Sequence, residues 1–153
     1  MKSRIYVDTS VIGGCFDVEF SGPSNKLFEE FKAGKKIIVI SDLTLRELDN
    51  APAQIKDKIK EIDQDFIETV GLNEDSVELA KAYLSDGIIG QGSFADAQHI
   101  ALGTLNKVDI LVSWNFKHVV NYNRIRLYNA VNLKKGYGLI EIRTPMEVLD
   151  EGF

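Results

Sequence analysis

Short runs of apolar, often β-branched residues, separated by longer amphipathic stretches, constrain the fold of this 153-residue chain more than any other feature. The runs lie at residues 4–9, 36–41, 109–113 and 139–144. They are typical of strands that are covered on both faces. Because strands alternate with helices, the pattern predicts an α/β fold with a parallel sheet and right-handed crossover connections.

The stretches between these runs carry apolar residues at helical spacing. Predicted helices lie at residues 24–34, 42–50, 52–66, 75–87 and 94–107. The glycine-bearing loop GIIGQG at residues 87–92 lacks the Lys and Ser or Thr that end a phosphate-binding P-loop, and we expect it to form a flexible flap. No repeat or linker interrupts the pattern, so residues 1–153 are predicted to form one domain.

Charge is unevenly distributed along the chain. The net charge is -5, yet residues 107–143 contain seven Lys or Arg against two acids. Three tyrosines, Tyr122, Tyr128 and Tyr137, are interleaved with these basic residues. This chemistry suits a surface that contacts phosphates and bases, although a solvated helix face explains it equally well.

Cysteine content and hydropathy indicate the compartment. The single cysteine, Cys15, has no intramolecular disulfide partner and is expected to be a packed small hydrophobic residue. No apolar run approaches the roughly 20 residues of a membrane span. We therefore expect a cytoplasmic protein that does not associate with membranes.

Four oxygen-bearing side chains are predicted to lie at one edge of the sheet. Asp8 follows the first strand, Glu47 lies in the helix after the second, Asp96 begins a later helix, and Asn115 follows the third apolar run. Each alone is also a common turn or capping residue. Together they favour a hard divalent cation, Mg²⁺ or Mn²⁺, and metal-assisted phosphodiester hydrolysis.

These residues lie in short motifs that carry a family resemblance. YVDTSVIGG at the first strand, Leu45-Arg46-Glu47, Ala95-Asp96-Ala97 and LVSWNF occur in the order and spacing of PIN-domain ribonucleases. The chain resembles this family over essentially its whole length, and VapC-like toxins of type II toxin-antitoxin systems are the nearest functional class. The resemblance implies a three-layer α/β/α sandwich, cleavage of RNA, a homodimer and a cognate antitoxin.

The resemblance also implies roles for single residues. Asp8, Glu47 and Asp96 match the acids that bind Mg²⁺ or Mn²⁺ and activate water. Asn115 stands where the family often has a fourth acid, and it offers a neutral oxygen and an amide donor. Hydroxyls that would orient the acids or the water belong to Thr9, Ser10 and Ser113. Basic residues that would guide RNA are Lys117, Arg124, Arg126, Lys134 and Lys135.

Other polar residues have simpler interpretations. Asp109 precedes a strand and is expected at the opposite edge of the sheet. Ser93 is predicted to cap the helix that follows it, with Asp96 answering in a capping box, which would explain Asp96 without a metal. We interpret His99 as a half-buried histidine whose hydrogen bonds are satisfied, and Trp114 as a packing residue.

Three other functions are considered. Because Asn115 removes a charge, the site could be catalytically weak, leaving a module that binds RNA or protein. A phosphatase with an aspartyl nucleophile would need a second Asp where Ser10 stands. A receiver-type signalling domain would need an acidic pair on the first strand and a phosphorylatable Asp at the end of the third.

Overall fold

The computed structural model describes residues 1–150 and is built around a five-stranded, wholly parallel sheet. The strands are β1 (Arg4–Val7), β2 (Ile37–Ser41), β3 (Ile67–Val70), β4 (Ile110–Val112) and β5 (Ile142–Arg143). Their order across the sheet is β3-β2-β1-β4-β5. In the central strand, Tyr6 pairs with Val39 of β2 and Leu111 of β4. The predicted parallel α/β fold is confirmed.

Helices fill the connections between the strands. They are α1 (Thr9–Gly14), α2 (Ser21–Lys32), α3 (Asp42–Leu48), α4 (Ala53–Lys56), α5 (Glu74–Ser85), α6 (Phe94–Leu105) and α7 (Tyr122–Lys134). Short 3₁₀ helices occur at Ile59–Glu61, Gln64–Phe66, Gln91–Ser93 and Pro145–Val148. Among residues 1–150, no helix is both long and apolar enough to span a lipid bilayer.

Successive residues of β1 point into different cores. Tyr6 packs on one face of the sheet with buried residues of α5, α6 and α7, whereas Ile5 and Val7 pack on the other face with residues of α1 and α2. This alternation is the two-residue period of a strand. Both faces are covered by helices, and the expected three-layer α/β/α architecture is confirmed.

The predicted helix at residues 52–66 is wrong. Only Ala53–Lys56 is α-helical, and the following residues form two separate 3₁₀ helices. The Asp63 side chain accepts a hydrogen bond from the backbone N–H of Asp65 and so begins a new turn. Buried residues Ile59 and Ile62 still contact the core, which explains their apolar character without a continuous helix.

Three further features of the structure differ from what the sequence predicts. The edge strand β3 was not predicted, because Glu68 interrupts its apolar character to form a bidentate pair with Arg4. The loop at residues 87–92, predicted to be a flexible flap, packs two of its side chains into the core, since Ile88 and Ile89 are only 5 % and 3 % exposed. In the predicted strand at 139–144, only Ile142–Arg143 is regular.

Candidate active site

Four of the predicted site residues lie at or next to the carboxyl ends of adjacent strands. Asp8 follows β1 directly, and Ser113 follows the neighbouring strand β4. The helix that carries Glu47 starts where β2 ends. Asp96 is in the first turn of α6, a helix that leads into β4 and therefore begins at the same edge. This edge is where ligands bind in open parallel sheets.

Asp8 is held by two serine hydroxyls. Ser10 Oγ donates to Oδ1 and Ser113 Oγ donates to Oδ2, each at 2.6 Å. The serines are themselves oriented by backbone N–H groups, that of Trp114 donating to Ser10 and that of Asn115 donating to Ser113, both at 3.0 Å. The short loop after β4 therefore fixes the carboxylate that follows β1.

Burial makes the charge on Asp8 costly. Its side chain is 4 % exposed, and loss of solvent raises the pKa of this carboxyl. His99, together with the hydroxyls of Ser10 and Ser113, acts in the opposite direction without cancelling the effect of burial. A cation beside Asp8 would offset this cost.

Glu47 is oriented through one of its two oxygens. Thr9 Oγ1 donates to Oε1, and His99 Nε2 lies on the same oxygen, both at 2.7 Å. Burial acts to raise the pKa of Glu47, but the hydrogen bond and charge of His99, with the hydroxyl of Thr9, outweigh it and lower that pKa. Glu47 is therefore poised to remain ionised.

His99 is more deeply buried than expected. It is 2 % exposed, and both ring nitrogens are engaged, Nε2 with Glu47 and Nδ1 with the hydroxyl of Tyr6 at 2.7 Å. The expectation of satisfied hydrogen bonds is confirmed, but that of half-burial is wrong. His99 is in direct contact with a candidate catalytic acid.

Asp96 does not take part in the predicted capping box. Ser93 occupies the N-cap position of α6, yet its side chain makes no capping hydrogen bond, because its backbone belongs to a preceding 3₁₀ turn. Burial raises the pKa of Asp96, and the carboxylates of Asp8 and Glu47 add to the effect while His99 opposes it. Asp96 therefore lies within electrostatic range of the other two acids, and helix capping does not explain it.

Asn115 reaches Asp96 through its amide nitrogen. Its Nδ2 donates to Asp96 Oδ2 at 3.2 Å, while its Oδ1 accepts the backbone N–H of His118 at 2.9 Å. The orientation of the amide is determined by the second contact, since a backbone N–H can only donate and requires an oxygen opposite it. The amide oxygen of Asn115, which was expected to bind a metal, therefore accepts a hydrogen bond within the loop. The group that Asn115 directs towards the acids is its NH₂ donor.

The donor set fits a hard divalent cation. Three carboxylates share one edge, and Glu47 Oε2 and Asp96 Oδ1 accept no hydrogen bond from residues 1–150. Within the same residues, no group of three His, Cys, Asp or Glu side chains is close enough in its present conformation to enclose an ion. The acids are instead held by the hydroxyls, the imidazole and the Asn115 amide.

The predicted basic residues fall into two groups. Lys117 is exposed in the loop after Asn115. Arg126, also exposed, lies over the ring of Tyr122 at 5.7 Å in the first turns of α7, and Arg124 donates to the Ile88 carbonyl. These residues are near the acidic edge.

Lys134 and Lys135 are separated from that edge. Helix α7 connects the parallel neighbours β4 and β5, so it runs from the carboxyl edge of the sheet back to the amino edge. Its 13 residues place Lys134 about 18 Å along the axis from Tyr122. The structure therefore does not bring all the basic residues together.

The interpretations of the remaining polar residues are confirmed. Asp109 accepts the backbone N–H of Arg4 at 2.7 Å, at the amino edge of the sheet. Trp114 stacks on Phe20, with ring centroids 4.4 Å apart, and its Nε1 donates to Ser24 at 2.8 Å. Trp114 is a packing residue that anchors the loop leading to Asn115.

Two site residues were not identified from the sequence. Tyr6 lies within an apolar strand, where its hydroxyl gives no signal. His99 follows Asp96 by three residues, which places both on one face of α6, and this spacing was the available sign of its role. The partner that gives His99 its importance, Glu47, is 52 residues away in the chain.

The sheet order and the layers define a PIN-like α/β/α fold, and comparisons with solved structures agree. The structure of the Mycobacterium tuberculosis toxin VapC20, described as cleaving the sarcin-ricin loop, matches with a TM-score of 0.56 and 18 % identity over 74 % of this chain and 92 % of that one. VapBC2 from Rickettsia felis, bound to a promoter DNA fragment, matches with a TM-score of 0.54 and 16 % identity over 92 % and 98 %. No protein-family model and no curated protein matches the sequence.

Proposed function

We propose that this protein is a divalent-metal-dependent endoribonuclease that hydrolyses RNA phosphodiester bonds. The observation that carries the proposal is the convergence of Asp8, Glu47 and Asp96 at the carboxyl edge of the sheet, where burial raises the pKa of Asp8 and of Asp96 and the charges of Asp8 and Glu47 raise that of Asp96 further. The PIN-like fold shared with VapC toxins supports it. Carboxylates collected in this way are stable as anions when a cation lies among them.

Mg²⁺ or Mn²⁺ is the proposed cofactor. Asp8, Glu47 and Asp96 would hold the ion, and Asn115 would act as an auxiliary group through its amide. When bound, such an ion supplies Lewis acidity to a phosphoryl oxygen and a water nucleophile at neutral pH. A carboxylate set without Cys or His ligands favours these hard cations over Zn²⁺.

Other side chains of the protein orient the acids and reduce the repulsion between them. Ser10 and Ser113 keep Asp8 in one orientation, and Thr9 does the same for Glu47. The Asn115 amide donates to Asp96 and so limits repulsion among the acids. The hydroxyls and the amide thus orient the carboxylates before a substrate binds.

RNA is proposed to approach along the basic residues nearest the acids. Lys117, Arg124 and Arg126 lie in the loop after Asn115 and in the first turns of α7, where they can neutralise backbone phosphates. Tyr122 is 75 % exposed beside Arg126 and offers a ring on which a base can stack. Lys134 and Lys135 contribute only if the RNA extends to the opposite edge.

A second candidate is a catalytically weak PIN-like module that binds RNA or protein. The motivating observation is that Asn115 replaces a possible carboxylate and directs its oxygen into the loop. Three carboxylates are enough for one divalent ion, whereas a second ion would lack charge. The two candidates differ in whether the site binds metal.

Calorimetric titration with Mn²⁺ separates these candidates. The ribonuclease predicts saturable binding to the wild type, with strong loss in Asp8→Asn and Asp96→Asn and no change in Asp109→Asn at the opposite edge of the sheet. Absence of any binding at millimolar Mn²⁺ would favour the binding module.

We further propose that the protein is the toxin component of a type II pair, acting in the cytoplasm as a homodimer and controlled by a cognate antitoxin. The likeness to VapC20 and to VapBC2 supports this reading. A small gene encoding an antitoxin beside this one would test it, and co-expression of the two products should yield a complex in which RNA cleavage is suppressed.

A further inference from the structure

A chain of three hydrogen bonds, two of them fully buried, lies behind Glu47. Tyr6 Oη donates to Ser41 Oγ at 2.8 Å and lies 2.7 Å from His99 Nδ1, and His99 Nε2 lies 2.7 Å from Glu47 Oε1. Ser41 and Tyr6 are completely buried. These contacts join three elements. Tyr6 belongs to β1 and His99 to α6, while Ser41 directly precedes α3 and Glu47 lies within it.

This hydrogen-bond chain contacts both ends of α3. Ser41 is the N-cap residue of this helix, and its Oγ accepts the backbone N–H of Thr44 at 3.1 Å. Glu47 lies in the last turn and is held by His99. A helix of only seven residues is too short to be rigid on its own, so tertiary hydrogen bonds of this kind determine where its side chains lie.

The direction of the hydrogen bond to Glu47 follows from its chemistry. An ionised carboxylate can only accept, so Nε2 of His99 carries the proton in this contact. Nδ1 is then the nitrogen that faces the Tyr6 hydroxyl, and this hydroxyl is itself hydrogen-bonded to Ser41 Oγ. The hydroxyl of Tyr6 thereby holds the imidazole ring in the orientation in which Nε2 faces Glu47.

We propose that His99, supported by Tyr6, is a positioning residue that holds Oε1 of Glu47 and leaves Oε2 as the free donor atom for a divalent cation. This inference rests on the proposed function. His99 acts through Glu47 and is therefore distinct from the acids themselves. Outer-shell partners of this kind alter metal affinity by about 10- to 100-fold.

Three variants and one control test the positioning role by Mn²⁺ calorimetry. Thermal melting of each protein verifies that it is folded. His99→Leu removes the donor and should weaken Mn²⁺ binding about 10- to 100-fold. His99→Gln places an amide donor near the position of Nε2. Because the donor to Glu47 is kept, the Mn²⁺ affinity should stay within about threefold of the wild type. Tyr6→Phe should fall between His99→Leu and the wild type.

Tyr83→Phe is the matched control. Tyr83 is as buried as Tyr6 and also donates one side-chain hydrogen bond in the core, to Asn132, but its partners lie among α5, α6 and α7. It should lower the melting temperature without changing Mn²⁺ affinity. Equal Mn²⁺ affinity in the wild type and folded His99→Leu, or an equal loss in Tyr6→Phe and Tyr83→Phe, would overturn the proposal.

A measurement on the metal-free protein tests the positioning role independently of the proposed ribonuclease function. If the wild type binds no Mn²⁺, the proposed function fails, while the contact between His99 and Glu47 is still read by nitrogen-15 NMR of the imidazole. We expect a slowly exchanging proton on Nε2 that is displaced or lost in Glu47→Ala and retained in Glu78→Ala on the exposed face of α5. Identical imidazole resonances in the wild type and Glu47→Ala would overturn the positioning role.

Discussion

The amide nitrogen of Asn115 lies 3.2 Å from Oδ2 of Asp96, so a neutral donor occupies a position next to a half-buried acid. The amide oxygen faces the other way and accepts the N–H of His118. Asn115 thus partly compensates the charge of Asp96 without adding one of its own. Through these two hydrogen bonds, the conformation of the loop at His118 determines which group of Asn115 faces Asp96.

Asn115→Asp is expected to strengthen Mn²⁺ binding by about tenfold or more, which corresponds to about 1.4 kcal/mol. One carboxylate oxygen can still accept the N–H of His118, while the other brings a negative charge beside Asp96. Calorimetry measures the affinity, and melting of the metal-free variant should show a loss of stability from repulsion between the two acids. Unchanged affinity would mean that Asn115 only shapes the loop.

Asp96→Asn is expected to stabilise the metal-free protein at neutral pH. Burial raises the pKa of Asp96, so the folded state holds this proton more tightly than the unfolded state. The resulting cost is absent at low pH, where both states are protonated, and grows as pH rises above the ordinary carboxyl pKa of about 3.9.

Removing this charge should therefore raise the melting temperature at pH 7 by about 2 to 4 °C for each kcal/mol recovered, and the gain should shrink as pH falls towards 4. Scanning calorimetry at several pH values measures this effect. Asp109→Asn serves as the control from the opposite edge. A lower melting temperature for Asp96→Asn at every pH would show that the carboxylate has a structural role instead.

Lys117→Ala is expected to raise the KM for RNA, because the exposed lysine follows the site loop directly. Loss of one phosphate contact on a single strand should reduce the slope of log KM against log salt by about 0.7. Lys134→Ala removes the same charge at the far end of α7 and is the matched control. Equal effects of the two substitutions would contradict an RNA path confined to the acidic edge.

The sequence was sufficient to predict elements with strong periodicity. The three central strands are buried on both faces, so their apolar runs were recognisable, and the acids follow strand ends that parallel pairing brings together. The segment at 52–66 shows the limit, since its apolar spacing suits a helix, while the turn formed by Asp63 divides it. Edge strand β3 carries Glu68 for a tertiary ion pair, which local pattern cannot reveal.

The sequence was sufficient to predict that the candidate acids lie at one edge of the sheet, but it did not reveal the side chains that hold them. Asp8, Glu47 and Asp96 stood out through chemistry and motif. The contact of His99 with Glu47 and the hydroxyl of Tyr6 depend on packing between α6, β1 and α3, so only the structure reveals them. The orientation of the Asn115 amide likewise follows from the backbone of His118.

Cleavage of RNA in the presence of Mg²⁺ or Mn²⁺ tests the proposed activity most directly. We expect metal-dependent cutting by the wild type, retained in Asp109→Asn and reduced more than about 100-fold in Asp8→Asn and Asp96→Asn, since even outer-shell partners of metal ligands cost about 10- to 100-fold. A metal-dependent activity that survives unchanged in both Asp8→Asn and Asp96→Asn would contradict the assignment of the site.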